Sequence, residues 1–382
     1  METARLTHEL LYEAIVGQEE ACGRLRAMVN DNRVPHALMF TGRSGSGNLA
    51  AAFVFARHLF CKSPRPQGPC NSCSSCSQVG KLAHPDLHLV FPIIKSKNTG
   101  SSDNFLPEFR EAILDDMYLT ENKWTGLMDA GNKQPVIPVE EANSILRKLS
   151  YTSYEGSYKM MVIWQPERMN AESANRLLKI LEEPPEKTVF VLVCHQPDKL
   201  LPTIISRVQQ VPFYPVQEEA ITEALIKRFN VGAEAARQAA LLADGNFAEA
   251  VASLSQDDEG VSLLAGFQAF MRLAVRFDGI QAVNWVEEKA TAGREKQKQF
   301  LQYALQVFRD SLMFNYGDKS LVRLSGAELQ FLEKFGPFIN RRNYEELVEE
   351  YNNSYYYIER NANAKVVFLD LLLRTAELLG RK

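Results

Sequence analysis

No apolar run in this 382-residue chain approaches the roughly eighteen residues that a membrane helix needs, which argues against a membrane-spanning helix. The charged, then apolar, then small layout of a secretory signal is also missing. The first residues read METARLTHELLYEAIVGQEE, so the chain is expected to stay in the cytoplasm. A net charge of −4 supplies no global attraction for nucleic acid, and any DNA contact must come from a local patch. Cysteine is scarce, with only six residues, and the reducing cytoplasm disfavours disulfides. Four of those six nevertheless fall within sixteen residues, which points to metal ligation. With 46% hydrophobic and 24% charged residues, the chain has an ordinary globular composition, and its length suits about two to four domains.

Through about residue 213, short apolar runs alternate with segments of helical period, the pattern of a parallel sheet with helical crossovers. Ala37 to Phe40, Leu87 to Phe91, Met160 to Trp164 and Val189 to Val193 are the buried-strand candidates. Pro138 opens a helix whose Ala142, Ile145, Leu146 and Leu149 share one face, and Asn170 caps another with Ala174, Leu177, Leu178 and Leu181 on one face. Pro184-Pro185 stops the latter. Residues 95–134 read as a polar, breaker-rich insertion without a long periodic pattern. After Pro215 the strand signals cease. Helical patterns follow at Glu218 to Phe229 and Ala233 to Ala243, and longer ones run from about Val261. The last, Asn363 to Leu379, offers Val366, Val367, Leu369, Leu373 and Leu378 to a core. The expected architecture is an α/β domain over 1–213, carrying a cysteine module at 61–76 and the insertion. A small helical domain over 214–258 and an all-helical domain over 259–382 follow it.

Gly42-Arg43-Ser44-Gly45-Ser46-Gly47-Asn48-Leu49 stands between a strand and a helix, where a phosphate-cradling loop belongs. Gly42, Gly45 and Gly47 can still present backbone N–H groups to an anion. Asn48 occupies the place of the phosphate-reaching lysine, and Leu49 that of the hydroxyl that holds Mg²⁺. On the loop alone, an ordinary glycine turn fits equally well. The second half of a phosphate site decides, because phosphoryl transfer needs carboxylates at the end of a neighbouring strand. The matching strand runs Met160-Met161-Val162-Ile163 into Trp164-Gln165-Pro166-Glu167, with no carboxylate in the first two positions beyond it. ATP is therefore not expected to be hydrolysed here.

Cys61, Cys70, Cys73 and Cys76 form C-x8-C-x2-C-x2-C, and two-residue gaps let thiolates converge on a tetrahedral zinc. Pro64, Pro66, Gly68 and Pro69 lie in the loop between the first two, which needs such an anchor to hold its shape. Four sulfurs saturate zinc, so the metal is expected to be structural, with His84 left as a loop residue before Pro85.

The segments IVGQE at 15–19, VPHALMFTG at 34–42, SANRLLKILEEPP at 173–185, KLLPTIISR at 199–207 and IERNANAK at 358–365 resemble the clamp-loader branch of the AAA+ family, its delta-prime group in particular. The resemblance implies a P-loop-type α/β domain, a helical lid and a helical collar. The collar would join the chain to gamma/tau and delta subunits in a five-membered open ring that loads a sliding clamp onto primed DNA. It also implies a structural zinc module and a subunit that does not hydrolyse ATP, in keeping with Ala248 where a motor subunit carries a lid arginine. On position alone, Ser206-Arg207 reads as a solvated last turn. The family's Ser-Arg-Cys motif, here with Val208 in the third place, implies instead that Arg207, supported by Ser206, reaches the γ phosphate of ATP held by the next subunit. Two other readings are weaker. A motor-type ATPase needs the absent lysine and carboxylates, and a zinc-dependent DNA reader needs more cations near the cysteines than Lys62, Arg65 and Lys81. Arg168, Arg176, Lys179 and Lys187 could meet DNA phosphates or form a solvated face. Tyr351 and Tyr355 to Tyr357 are assigned to packing, and Cys22 and Cys194 to buried thiols.

Overall fold

Each apolar run becomes a strand: β1 (Ala37–Thr41), β2 (Leu87–Val90), β3 (Lys159–Trp164) and β4 (Thr188–Cys194). A fifth, β5 (Gln209–Pro212), completes a parallel sheet of order β2-β3-β4-β1-β5. Its sequence carries no strand signal because it is an edge strand, with Gln209 and Gln210 exposed and only Val211 buried. The computed structural model describes residues 11–95, 100–128, 133–150, 153–154, 158–255, 257–276, 279–317 and 326–380. Contacts divide the chain into two units, Met1–Ala252 and Ser253–Lys382.

The first unit carries α1 (Glu19–Asn30), α2 (Asn48–Leu59), α3 (Ser74–Gly80), α4 (Leu106–Asp115), α5 (Glu121–Leu127), α6 (Val139–Ser150), α7 (Ala171–Glu182), α8 (Pro202–Ile205), α9 (Glu218–Phe229), α10 (Ala233–Leu242) and most of α11 (Phe247–Ser255), whose last three residues fall past the division. Strand periodicity sorts the core. Ala37, Met39, Met161, Ile163, Phe190 and Leu192 point to one face and meet Ile145 and Leu149 of α6 and Leu177 and Leu181 of α7. Phe40, on the other face, packs against Phe55 of α2 at 6.2 Å. With both faces covered, the central strands read as unbroken apolar runs. All twelve residues of α2 are buried, since α1 and α3 pack on the helix as well. Asn170 caps α7 as expected, accepting from the Ser173 N–H at 2.8 Å.

The insertion contains helices that the sequence pattern did not reveal. α4 and α5 are too short to carry a long period, although Phe109, Ala112 and Ile113 of α4 share one buried face, and aromatic rings anchor both: Phe109 stacks on Phe91 at 3.8 Å, and Trp124 meets both rings edge-on. The Trp124 indole N–H donates to the Pro92 carbonyl at 2.8 Å. Part of the breaker-rich stretch, at 96–99 and 129–132, lies outside the described residues.

The second unit is helical among its described residues: α12 (Asp257–Arg276), α13 (Gly279–Thr291), α14 (Arg294–Tyr316), α15 (Gly326–Phe335), α16 (Tyr344–Glu359) and α17 (Ala364–Gly380). Phe267, Phe270, Trp285, Phe300, Phe308, Tyr351 and Phe368 form its aromatic core. Tyr351 is buried and Tyr355 packs at the core's margin, whereas Tyr356 and Tyr357 are exposed. The expected core face of α17 needs correction. Leu378 is buried and Val367 partly so, but Val366, Leu369 and Leu373 face outward, and Phe368, Leu371, Leu372 and Thr375 face inward. The helix is apolar nearly all round at 366–373, so periodicity does not select a face.

Candidate functional site: a glycine loop and a four-cysteine cluster

The glycine loop lies between β1 and α2, with Gly45 at φ +79° and Gly47 at φ +93°. Both positions require glycine for a second reason, close approach. A Cβ on Gly45 would come within 2.1 Å of Asn246 Oδ1 and 2.7 Å of Ala248 Cβ, and one on Gly47 within 2.9 Å of Ile15 Cγ2. Asn48, where a lysine would extend outward, is buried and turns back so that its Nδ2 donates to the Gly42 carbonyl at 3.3 Å. Leu49 is buried in the core. Gln18 Nε2 braces the loop, donating to the carbonyls of Ser46 at 3.1 Å and Tyr214 at 2.7 Å.

At the end of β3, Trp164 and the following Gln165 are buried and neutral. Glu167 is turned toward the end of β4, where its Oε1 accepts from the N–H groups of His195 at 2.9 Å and Gln196 at 3.2 Å. Burial raises its carboxyl pKa. It therefore satisfies backbone donors rather than a cation. Burial, reinforced by the charge of Arg168, lowers the neighbouring His195 to about 4. Arg168 itself pairs with Glu121 of α5, and Arg176 with Asn143 and Glu172, so these two cations already have local partners.

Arg207 follows α8 with its side chain 37% exposed. Its guanidinium meets Glu182 at 2.7 Å and donates to the Thr203 carbonyl at 2.9 Å and Ser206 Oγ at 3.4 Å. The fork is thus ordered at the surface by the end of α7 and by its own turn.

The four predicted cysteines converge. Their sulfurs all lie within 4.8 Å of one another, and Cys70 Sγ and Cys76 Sγ are 3.9 Å apart. Four thiolates at about 2.3 Å from one tetrahedral zinc stand roughly 3.8 Å apart, so the donor set fits the ion. Backbone N–H groups of Cys70 and Cys76 point at Cys61 Sγ (3.2 Å) and Cys73 Sγ (3.4 Å). Hydrogen bonds from the backbone and side chain of Ser72 lower Cys70 to about 5, favouring its thiolate, while burial pushes the Cys76 thiol up. Zinc would overcome that last penalty by holding the sulfur as thiolate. Cys76 Sγ also approaches the Arg57 carbonyl of α2 at 3.9 Å, which ties the cluster to the helix it covers. His84 is apart from the cluster, stacked on Phe60 at 4.3 Å. Cys22 and Cys194 are buried, as expected.

A sequence model of the family described as DNA polymerase III, delta subunit, matches residues 17–217, just over half of the chain. This chain belongs to that family. Among curated relatives, it is 34% identical to DNA polymerase III subunit delta' of Bacillus subtilis over 60% of this chain and 57% of the relative. It is 30% identical to subunit delta' of Pseudomonas aeruginosa over 46% and 42%. The tau subunit of Bacillus subtilis is 26% identical over 64% and 37%. The chain thus spans about half the length of the curated relatives it matches. The solved structure of a gamma-subunit-related protein from Thermotoga maritima covers 93% of this chain and 99% of its own at 14% identity and a TM-score of 0.40, a likeness too slight to bear on function.

Sequence reasoning missed Tyr118, Asn246 and Phe247 as neighbours of the loop. Tyr118 Oη accepts from the Val16 N–H at 2.9 Å, and its ring lies 4.8 Å from Phe247. Nothing periodic marks Tyr118, which follows α4 in a short turn.

Proposed function

We propose that the chain acts in the cytoplasm as a delta-prime-type subunit of a bacterial clamp loader, contributing to ATP turnover without hydrolysing ATP itself. The carrying observation is the glycine loop, in which Asn48 is folded back on Gly42, Leu49 is buried and neutral Trp164-Gln165 stand where carboxylates are required. Without lysine, metal hydroxyl or acidic pair, little remains to position a γ phosphate or to spread its charge.

Arg207, oriented by Ser206 and Glu182, is the residue offered to the neighbouring subunit's ATP. A finger supplied in trans contributes about 10³ to 10⁵ in rate. The four-cysteine zinc centre is structural, since its four sulfurs leave no open position for chemistry. Residues 1–213, 214–258 and 259–382 serve as ATPase-like domain, lid and collar. The collar joins gamma/tau and delta subunits in a five-membered ring that places the sliding clamp on primed DNA. The outward Val366, Leu369 and Leu373 of α17 and Ile280 and Val283 of α13 suit a helical unit that buries apolar surface against neighbours.

ATP turnover by the purified chain, alone and then combined with gamma/tau and delta, tests this reading. The chain alone is expected to show no turnover above background, and its addition to raise the DNA-dependent rate of the assembly. Turnover by the chain alone at about 1 s⁻¹ or faster, an ordinary enzyme's pace, would sink it.

A further inference from the structure

In open parallel sheets, ligands occupy the crevice beyond the carboxyl ends of the strands. In this chain, protein side chains gather there. β2 runs into Phe91 and β3 ends at Trp164, and the segment 102–127 between those strands folds back over both ends. Its entry is clamped by the buried Glu141, whose Oε2 accepts from the Ser102 N–H at 2.7 Å and whose Oε1 accepts from Ser102 Oγ at 2.9 Å. Phe109 lies on Phe91 and reaches Trp164 at 5.6 Å. Trp164 in turn meets the His195 ring edge-on at 6.3 Å. Glu121 takes Arg168.

Tyr118 then extends to the glycine loop. A Cβ on Gly47 would stand 3.3 Å from Tyr118 Cε1, so the ring lies against the start of α2, the end of the helix that phosphates of a nucleotide would approach and where the Leu49 N–H is already taken by Asn48 Oδ1 at 2.9 Å. Its hydroxyl takes the Val16 N–H, and the ring is also met by Phe247 of α11, tilted against it at 4.8 Å. Arg228 of α9 lies over Phe247 at 5.6 Å and donates to the Ala14 carbonyl at 2.7 Å. One side chain of the insertion thus touches the segment before α1, the glycine loop and the helices that follow the sheet.

We infer that segment 102–127 is an intramolecular occupant of this chain's own nucleotide crevice, and that Tyr118 latches α9 and α11 to the sheet in place of a nucleotide. A purine nucleotide seated on the glycine loop has to expel the Tyr118 ring from Gly47 and strip the Val16 N–H of its acceptor. Its phosphates then find neither lysine nor metal hydroxyl. The orientation of α9 and α11 is accordingly independent of ATP. This goes beyond the role of Arg207, and the two fail separately: that role is read from a neighbour's turnover, this one from the chain alone.

Two measurements on the full chain decide it. Titration with a fluorescent N-methylanthraniloyl-ATP, with and without Mg²⁺, is expected to show no saturable binding up to about 1 mM, and saturation in the micromolar range would overturn the inference. Hydrogen exchange is then compared between the wild type and Tyr118→Phe, which keeps the ring and removes only the acceptor. The Val16 amide and the amides of 246–250 should exchange roughly tenfold faster in the variant. Unchanged exchange at these amides would overturn the latch.

Discussion

At the scale of single residues, the chain keeps the frame of a phosphate loop and replaces its charges with neutral, inward-facing groups. Asn48 and Gln165 are buried, and Glu167 satisfies backbone donors at the end of β4. The absence of the lysine, the hydroxyl and the carboxylates was legible because it rests on residue identity at fixed offsets. The closure of the loop by Tyr118 and Asn246 was not, because both arrive from segments far away in sequence. The role proposed for Arg207 rests on resemblance alone, since its surface turn and its pairing with Glu182 mark nothing by themselves.

Histidines supply a prediction at this scale. Burial lowers His58, His88 and His195 to about 4 from an ordinary 6.5. The unfolded chain therefore takes up protons near 6.5 while the folded chain resists until about 4, so stability should fall as pH drops through that window. Glu167, raised by burial, acts with the opposite sign, which makes a single-site comparison necessary. Urea midpoints at about pH 7, 6 and 5 should fall less steeply for His195→Gln than for the wild type. Parallel curves would show that His195 titrates normally in the fold.

At the scale of elements, the four inner strands and the amphipathic α6, α7, α9 and α10 were legible because burial on one or two faces leaves a period in the sequence. β5 was not, since an exposed edge strand needs few apolar residues, and α4 and α5 were not, since helices of ten and seven residues are too short to carry a long period. The cysteine module was legible from spacing and the helix at Leu49 to Phe60 from the apolar run after the glycine turn, but not that the one packs on the other. Because α3 and the cluster pack on the wholly buried α2, metal loss should be felt in the core. Atomic absorption is expected to find one zinc per chain. Chelation should lower unfolding free energy by about 3 kcal/mol or more relative to protein in zinc a hundredfold above its Kd. Denaturation curves that overlay with and without chelator would refute a structural metal.

At the scale of the molecule, the chain has two units of different kind, a parallel α/β sheet unit and an aromatic-cored helical one. That change of class was legible where the strand signals stop after Pro215. Which side of α17 packs was not, and the outward Val366, Leu369 and Leu373 suit a subunit whose surface is finished by its neighbours. As proposed above, the chain lacks ATP chemistry of its own and completes a neighbour's. The most direct measurement is the DNA-dependent ATPase rate of the reconstituted assembly carrying this chain as written or with Arg207→Ala, with assembly followed by gel filtration. A fall of roughly 10³ at the completed site, with elution unchanged, is predicted. An unchanged rate in an intact assembly would contradict the claim and leave this chain a scaffold.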